Sequence, residues 1–291
     1  MTARAGPKQT VTQALREAAG SLAPTSDTAR LDAELLMAHA LGVSRSDLLL
    51  RHGGDPVPED FAPLLARRLN HEPVAYILGR QEFYGRTFRV GPEVLIPRAD
   101  SESVIAAALE AMPQPRRVLD CGTGSGALLL TLLAECGEAE GIGIDRSSGA
   151  VALARENADA LGLSGRARLI ERDWTRPGWA SDLGPFDLIL ANPPYVESGA
   201  RLAPSVHLHE PAGALFAGPE GLDDYRILIP QLPALLEPCG CAVLEIGASQ
   251  SAAVAAMAAD AGFSVEMRRD LGARPRALLL RFGLGKAVID H

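Results

Sequence analysis

Long apolar runs are missing from this 291-residue chain. No stretch approaches the roughly 20 apolar residues of a bilayer-spanning helix, and Met1 to Gly20 holds no charged-then-apolar leader. The expectation is a cytoplasmic protein with no membrane partner. Lysine is nearly absent (Lys8 and Lys286), and arginine carries the positive charge, a bias of the source genome rather than a functional signal. Cysteine is scarce as well. Cys121, Cys136, Cys239 and Cys241 show no zinc-ribbon spacing, which speaks against a disulfide framework and for buried, reduced thiols. A basic excess is also lacking. The formal net charge is −8, and residues 1–80 balance nine Lys/Arg against nine Asp/Glu. Direct nucleic-acid binding is therefore not expected.

What is present is ordinary globular composition, 47% hydrophobic and 22% charged. Residues 1–78 read as helical. Thr10 to Gly20 is amphipathic, with Gly20 as its stop. Asp27 is the expected N-cap of a helix whose apolar face carries Leu31, Leu35, Leu36, Ala38 and Leu41 and which ends at Gly42. Ser44 or Ser46 caps a third helix, and Phe61 to Leu69 forms a fourth. Residues 79–99 change character: Glu82 to Val90 sets aromatic and β-branched residues around Gly85, a hairpin signal, and Leu95-Ile96-Pro97-Arg98 follows. From residue 100 onwards the pattern becomes α/β. Strands are expected at 117–121, 141–145, 167–171, 186–191, 240–246, 263–268 and 277–282, with helices at 127–136, 148–161, 223–236 and 249–261. Apolar strands that do not alternate imply a mostly parallel sheet covered on both faces.

Two stretches carry chemistry. Asp120-Cys121-Gly122-Thr123-Gly124-Ser125-Gly126 joins a strand to a helix, and its alternating glycines let backbone approach a ligand. The spacing is G-x-G-x-G, where dinucleotide sites prefer G-x-G-x-x-G. Asp145 ends the next strand, placed either to take two ribose hydroxyls or to cap the following helix. Asp173-Trp174 follows the third strand, placed to reach an adenine edge and face or simply to cap and pack. The fourth strand stops on Asn192-Pro193-Pro194-Tyr195, a loop stiffened by two prolines. The tetrapeptide alone also fits a turn or a polyproline ligand. Following that succession of strand ends, it reads as a clamp: the Asn192 side-chain carbonyl and the Pro193 carbonyl can hold the two hydrogens of a planar NH2 group, against the face of Tyr195.

These motifs together resemble the class I S-adenosylmethionine-dependent methyltransferases. Within that class the chain is similar to the HemK/PrmC family of protein-glutamine methyltransferases. The resemblance rests also on residues 31–36 (LDAELL), 73–79 (PVAYILG), 82–85 (EFYG), 95–98 (LIPR), Glu210-Pro211, 221–226 (GLDDYR) and 244–247 (LEIG). One departure is Ala99-Asp100-Ser101-Glu102, where the family often has Pro-Glu-Thr-Glu.

The resemblance implies a Rossmann-like catalytic domain of seven strands over residues 100–291, a helical substrate-recognition domain over 1–78 and a hairpin linker. It implies S-adenosyl-L-methionine as cofactor, held by Gly122 to Gly126, Asp145, Asp173, Trp174 and Asn192. The partner it implies is a peptide chain release factor, methylated on the glutamine of its Gly-Gly-Gln motif, with Asn192, Pro193, Pro194 and Tyr195 catalytic and Arg98 and Glu210 contacting substrate. Arg98 also fits an interdomain salt bridge. Another protein glutamine, or an adenine or cytosine amine, remains as an alternative acceptor. A metal site at His207 and His209 lacks a third ligand, so no metal is expected. The working expectation is a monomer.

Overall fold

The computed structural model describes residues 9–282 and divides into two compact units. One holds the described residues up to Gly79 together with Leu202–His209; the other holds Arg80–Arg201 and the described residues from Glu210 onward. No helix among the described residues is long and apolar enough to cross a membrane.

The first unit contains α1 (Val11–Leu22), α2 (Ala29–Leu41), α3 (Arg45–Arg51), α4 (Phe61–Leu69) and α5 (Val74–Leu78). Thr10 and Gln13 form a reciprocal capping box at the start of α1. The helix then runs through Gly20, because Ala18 and Leu22 on either side of it are buried in the unit's core. The α2 helix begins after Thr28, one residue beyond the expected Asp27 cap, and ends on Gly42 with φ +67°. Ser44 caps α3 by accepting the Asp47 N–H.

The buried face of α2 keeps Leu36 and Ala38 of the expected set, with Leu41 packed against it, but differs at Leu31. Ala33, Leu36, Met37 and Ala38 are buried, but Leu31 is 39% exposed and Asp32 and Glu34 are buried instead. Their partners explain the exchange. Asp32 accepts the Ser26 and Thr28 hydroxyls at 2.7 and 2.8 Å and Arg68 Nε at 2.7 Å. Glu34 accepts Arg30 Nε at 2.8 Å and Arg45 Nε at 2.7 Å. Burial works to raise the Glu34 pKa, and the two guanidinium groups override it and hold the carboxyl below its ordinary value.

The second unit opens with the hairpin β1 (Arg80–Phe83) and β2 (Arg86–Arg89). Its two-residue turn has positive φ at both Tyr84 and Gly85, the geometry that matches strand twist. A 3-10 turn at Ala99–Ser101 leads into α6 (Glu102–Ala111). Then follow β3 (Arg117–Cys121), α7 (Ala127–Glu135), β4 (Glu140–Asp145), α8 (Ser148–Ala160), β5 (Ala167–Glu171) and β6 (Phe186–Ala191). The short helix α9 (Pro204–His209) belongs to the first unit. After it come α10 (Asp223–Leu228), β7 (Leu236–Glu245), α11 (Ser251–Asp260), β8 (Phe263–Arg269) and β9 (Pro275–Phe282). The expected helix at 223–236 is split: beyond Leu228 it becomes 3-10 over Ile229–Leu235, because Pro230 and Pro233 supply no N–H to an α-helical ladder.

The seven strands lie in the order β5-β4-β3-β6-β7-β9-β8, parallel except for β9, which is antiparallel to both neighbours. Alternate residues feed two cores. Val118, Leu188, Leu190 and Val243 pack under α6, α7 and α8. Leu119, Ile189, Ala242 and Leu244 pack under α10 and α11. Two-sided burial is why these strands read as continuous apolar runs.

The β3 strand sits between β4 and β6, so the chain reverses its winding there, and the crevice at the carboxyl ends of β3 and β6 is the topological switch point. Of the cysteines, Cys121, Cys136 and Cys241 are buried and free, whereas Cys239 is exposed. It lies in the stretch of β7 between Leu236 and Cys241 where the register against β6 shifts, so buried thiols describe three of the four.

Candidate active site

Sheet register brings the two chemical motifs together. Cys121 pairs with Ala191 across β3 and β6 and with Ile144 across β3 and β4, and Asp145 pairs with Glu171 across β4 and β5. The residues that follow, the glycine loop, Asp145, Asp173 and Asn192, therefore emerge side by side at one edge. They line a cavity of about 270 Å3 with Gly122, Thr123, Gly124, Ser125, Asp145, Asp173, Trp174, Asn192 and Pro194 on its walls.

The glycine loop is pinned from below. The N–H groups of Gly122 and Thr123 both donate to the Ile144 carbonyl, at 2.9 and 2.8 Å. The Thr123 hydroxyl donates to Asp120 Oδ2 at 2.7 Å. Asp120 is fully buried, and burial, with the charge of Asp145 adding to it, pushes its carboxyl up to about 7 against the hydrogen bonds from Thr123 and Leu129.

Gly122, Gly124 and Gly126 all have positive φ. A Cβ on Gly122 would lie 3.2 Å from the Trp174 ring, so the indole rests on the bare backbone. Asn157, buried in α8, accepts the Arg89 N–H at 2.7 Å and donates to the Ser125 carbonyl at 2.8 Å. It ties the hairpin to the loop, a role with no local signal in the sequence.

Asp145 accepts the Gly124 N–H at 3.0 Å through one oxygen and the Ser147 N–H at 2.9 Å through the other. Helix α8 is capped by Ser147, which accepts the Ala150 N–H, so capping is not what Asp145 does. Each carboxylate oxygen keeps a lone pair for a ligand. Burial raises the Asp145 pKa against those hydrogen bonds and the Arg146 charge. Asp173 accepts both the N–H and the hydroxyl of Thr175, at 2.9 and 2.7 Å. Against the cost of burial, these bonds and Arg176 hold it below its ordinary value.

In the Asn-Pro-Pro-Tyr segment, Pro193 and Pro194 are buried while Asn192 and Tyr195 are half-buried. Asn192 and Pro194 line the cavity; Pro193 and Tyr195 do not. Among the described residues no hydrogen-bond partner occupies the Asn192 side-chain amide or the Pro193 carbonyl. Arg98 lines the same cavity, and its guanidinium pairs with Glu210, a residue buried below the cavity wall. His209 belongs to the helical unit, with Nε2 3.2 Å from the Asn70 carbonyl.

Phe83 and Ile96, from the 82–85 and 95–98 stretches, line the cavity together with Val94 and Leu128, which no motif marked. Arg146 donates to the Gly213 carbonyl, and a Cβ on Gly213 would lie 2.4 Å from that guanidinium.

A nucleoside bearing a short charged chain fits these walls: bare glycine backbone and an indole face for the base, a carboxylate with free lone pairs for ribose hydroxyls, and apolar surface beyond. Residues 13–79 match the PrmC N-terminal domain model, and residues 115–215 match a methyltransferase domain model. The release factor glutamine methyltransferase of Cereibacter sphaeroides is 44% identical over 276 residues, covering 92% of this chain and 97% of that one. That of Rhodospirillum rubrum is 43% identical over 259 residues, covering 87% and 78%. Among solved structures, a methyltransferase from Pyrococcus furiosus superposes with a TM-score of 0.53 at 17% identity, covering 77% of this chain and all of that one, a likeness of fold. With identity of this level over 87–92% of the chain and 78–97% of these relatives, the chain belongs to the release factor glutamine methyltransferase family.

Proposed function

We propose that this protein methylates the side-chain amide nitrogen of the glutamine in the Gly-Gly-Gln motif of peptide chain release factors. S-adenosyl-L-methionine, bound in the cavity, supplies an electrophilic methyl group on a sulfonium. The observation that carries the reading is the register of β3 against β6, which sets the unpartnered amide of Asn192 beside the glycine loop in one cavity.

An amide nitrogen is a poor nucleophile because its lone pair is delocalised into the carbonyl. Asn192 Oδ1 accepts one N–H of the substrate amide and the Pro193 carbonyl accepts the other. Held so, the nitrogen is turned towards the methyl donor and its lone pair is favoured out of conjugation. No strong base is required before attack, since the proton leaves after the nitrogen has become positive. Positioning and fixed dipoles therefore supply the rate. Asp145 binds and orients the ribose, Trp174 covers the base, and the two prolines keep the clamp from relaxing.

The test is transfer of labelled methyl to a purified release factor, to its Gly-Gly-Ala variant, and to total RNA and DNA. Label on the wild-type factor alone is expected. Label on nucleic acid alone would overturn the acceptor. Asn192→Ala should abolish transfer; normal turnover by that variant would sink the clamp.

A further inference from the structure

Tyr195 is held at both ends by side chains outside the motif. Its carbonyl accepts Gln250 Nε2 at 3.0 Å. The same nitrogen donates to the Gly221 and Glu220 carbonyls at 3.1 and 3.4 Å, and Gln250 Oε1 accepts the Gly247 N–H at 3.1 Å. One buried amide thus ties together three chain segments. Both glycines are there to admit it. A Cβ on Gly221 would lie 2.3 Å from the Tyr195 carbonyl oxygen and 2.8 Å from Gln250 Nε2, and one on Gly247 would lie 2.7 Å from Gln250 Oε1.

At its other end, the Tyr195 hydroxyl donates to Glu245 Oε1 at 3.3 Å. Glu245 ends β7 and is 1% exposed. The Tyr225 hydroxyl donates to its backbone carbonyl at 2.7 Å. Arg276 also faces the carboxyl but is engaged by Asp100 at 2.8 Å and Asp270 at 3.6 Å. Burial pushes Glu245 up to about 7 and raises the Tyr195 hydroxyl far above its ordinary value. Neither Glu245 nor Gln250 lines the cavity.

We propose that Glu245 and Gln250 are positioning residues for the acceptor clamp, seating Tyr195 by its hydroxyl and its carbonyl so that Asn192 and Pro193 meet the substrate amide in one geometry. The proposal rests on the methyl-transfer reading above. The physical reason is the stiffness of the loop. Two prolines leave few soft dihedrals between Asn192 and Tyr195, so the seat of the last residue sets the direction of the first.

The test compares the full-length parent with Glu245→Leu, Glu245→Gln, Gln250→Leu, Tyr195→Phe and the double variant Tyr195→Phe/Glu245→Leu. Measured for each are kcat and KM on a release factor, affinity for S-adenosylhomocysteine, and Tm. Glu245→Leu and Gln250→Leu should lower kcat about 100-fold, the scale of an ångström of misplacement, with cofactor affinity within about twofold. Glu245→Gln keeps an acceptor for the Tyr195 hydroxyl and should restore most of kcat. Because Glu245 acts through that hydroxyl, the double variant should be no slower than the slower single variant. Multiplying losses in the double variant, or parental kcat in the two leucine variants, would overturn the proposal. If the leucine variants do not fold, Tyr195→Phe decides, and unchanged kcat there overturns it. A parent that binds S-adenosylhomocysteine yet methylates no release factor would remove the underlying reading, an outcome distinct from an active parent with unimpaired variants.

Discussion

Arg98 is paired with Glu210, whose carboxylate also accepts the Ile96 N–H at 3.2 Å through its second oxygen. The Glu210 side chain is 1% exposed while that of Arg98 is 41% exposed. Glu210 is therefore occupied in holding the Ile96–Arg98 strip in place, and only Arg98 presents itself to the cavity. The two residues act as one unit within the catalytic fold. Removing the exposed partner strands a buried carboxylate: Arg98→Ala is expected to lose about 1–3 kcal/mol, the pair being partly screened by solvent, and Arg98→Ala/Glu210→Gln less than that. Urea unfolding of the three proteins measures it, and a double variant less stable than Arg98→Ala would contradict the pairing.

Asp145 is the strongest test of the ribose end. With both oxygens already organised by backbone N–H groups, it needs no rearrangement to accept two hydroxyls. Losing two hydrogen bonds to a charged acceptor, each worth about 1.5–3 kcal/mol, should weaken S-adenosylhomocysteine binding by at least about 100-fold in Asp145→Ala. Burial raises its pKa, so parental affinity should also fall on acidification as the acceptor becomes protonated. Calorimetry showing unchanged affinity in the variant would remove the assignment.

Asp120 makes stability depend on pH in an unusual direction. Its folded pKa is raised to about 7, against about 3.9 in an unfolded chain. Between those values the folded state holds a proton that the unfolded state has lost, so stability is fully present below about pH 4 and declines as pH rises towards 7. Glu245, also near 7, titrates in the same window, whereas the lowered carboxyls of Glu34 and Asp173 titrate below it. Asp120→Asn should therefore show a smaller fall in Tm from pH 5 to pH 8 than the parent. Parallel profiles would mean that Asp120 does not titrate there.

Asp32 is the point on which the helical unit turns. Asp32→Ala leaves the Arg68 guanidinium buried without its carboxylate, and loss of one member of a buried pair costs about 3–5 kcal/mol. Replacing both members with apolar residues, Asp32→Leu/Arg68→Met, should recover most of that loss. Urea unfolding reads both effects, and an Asp32→Ala variant as stable as the parent would show that the pair contributes nothing.

The sequence by itself determined what is local or periodic. The strands over 167–171 and 186–191 stand where apolar runs meet turn residues. The hairpin turn at Tyr84-Gly85, the stop at Gly42, the glycine loop and the proline-stiffened tetrapeptide follow from backbone rules that involve only their neighbours. Because parallel strands end in register, the order of the motifs along the chain already implied that they share one edge.

Tertiary structure decided where the polar side chains go. Periodicity placed Leu31 inside, yet α2 buries Asp32 and Glu34, since Arg68 and Arg45 reach them from other helices. Asn157 holds Arg89 from 68 residues away, Glu210 holds Arg98 across 112, and Gln250 holds Tyr195 across 55. A buried polar group is tolerated only with its partners in place, and those partners are chosen by the packing of distant elements, which no local pattern encodes.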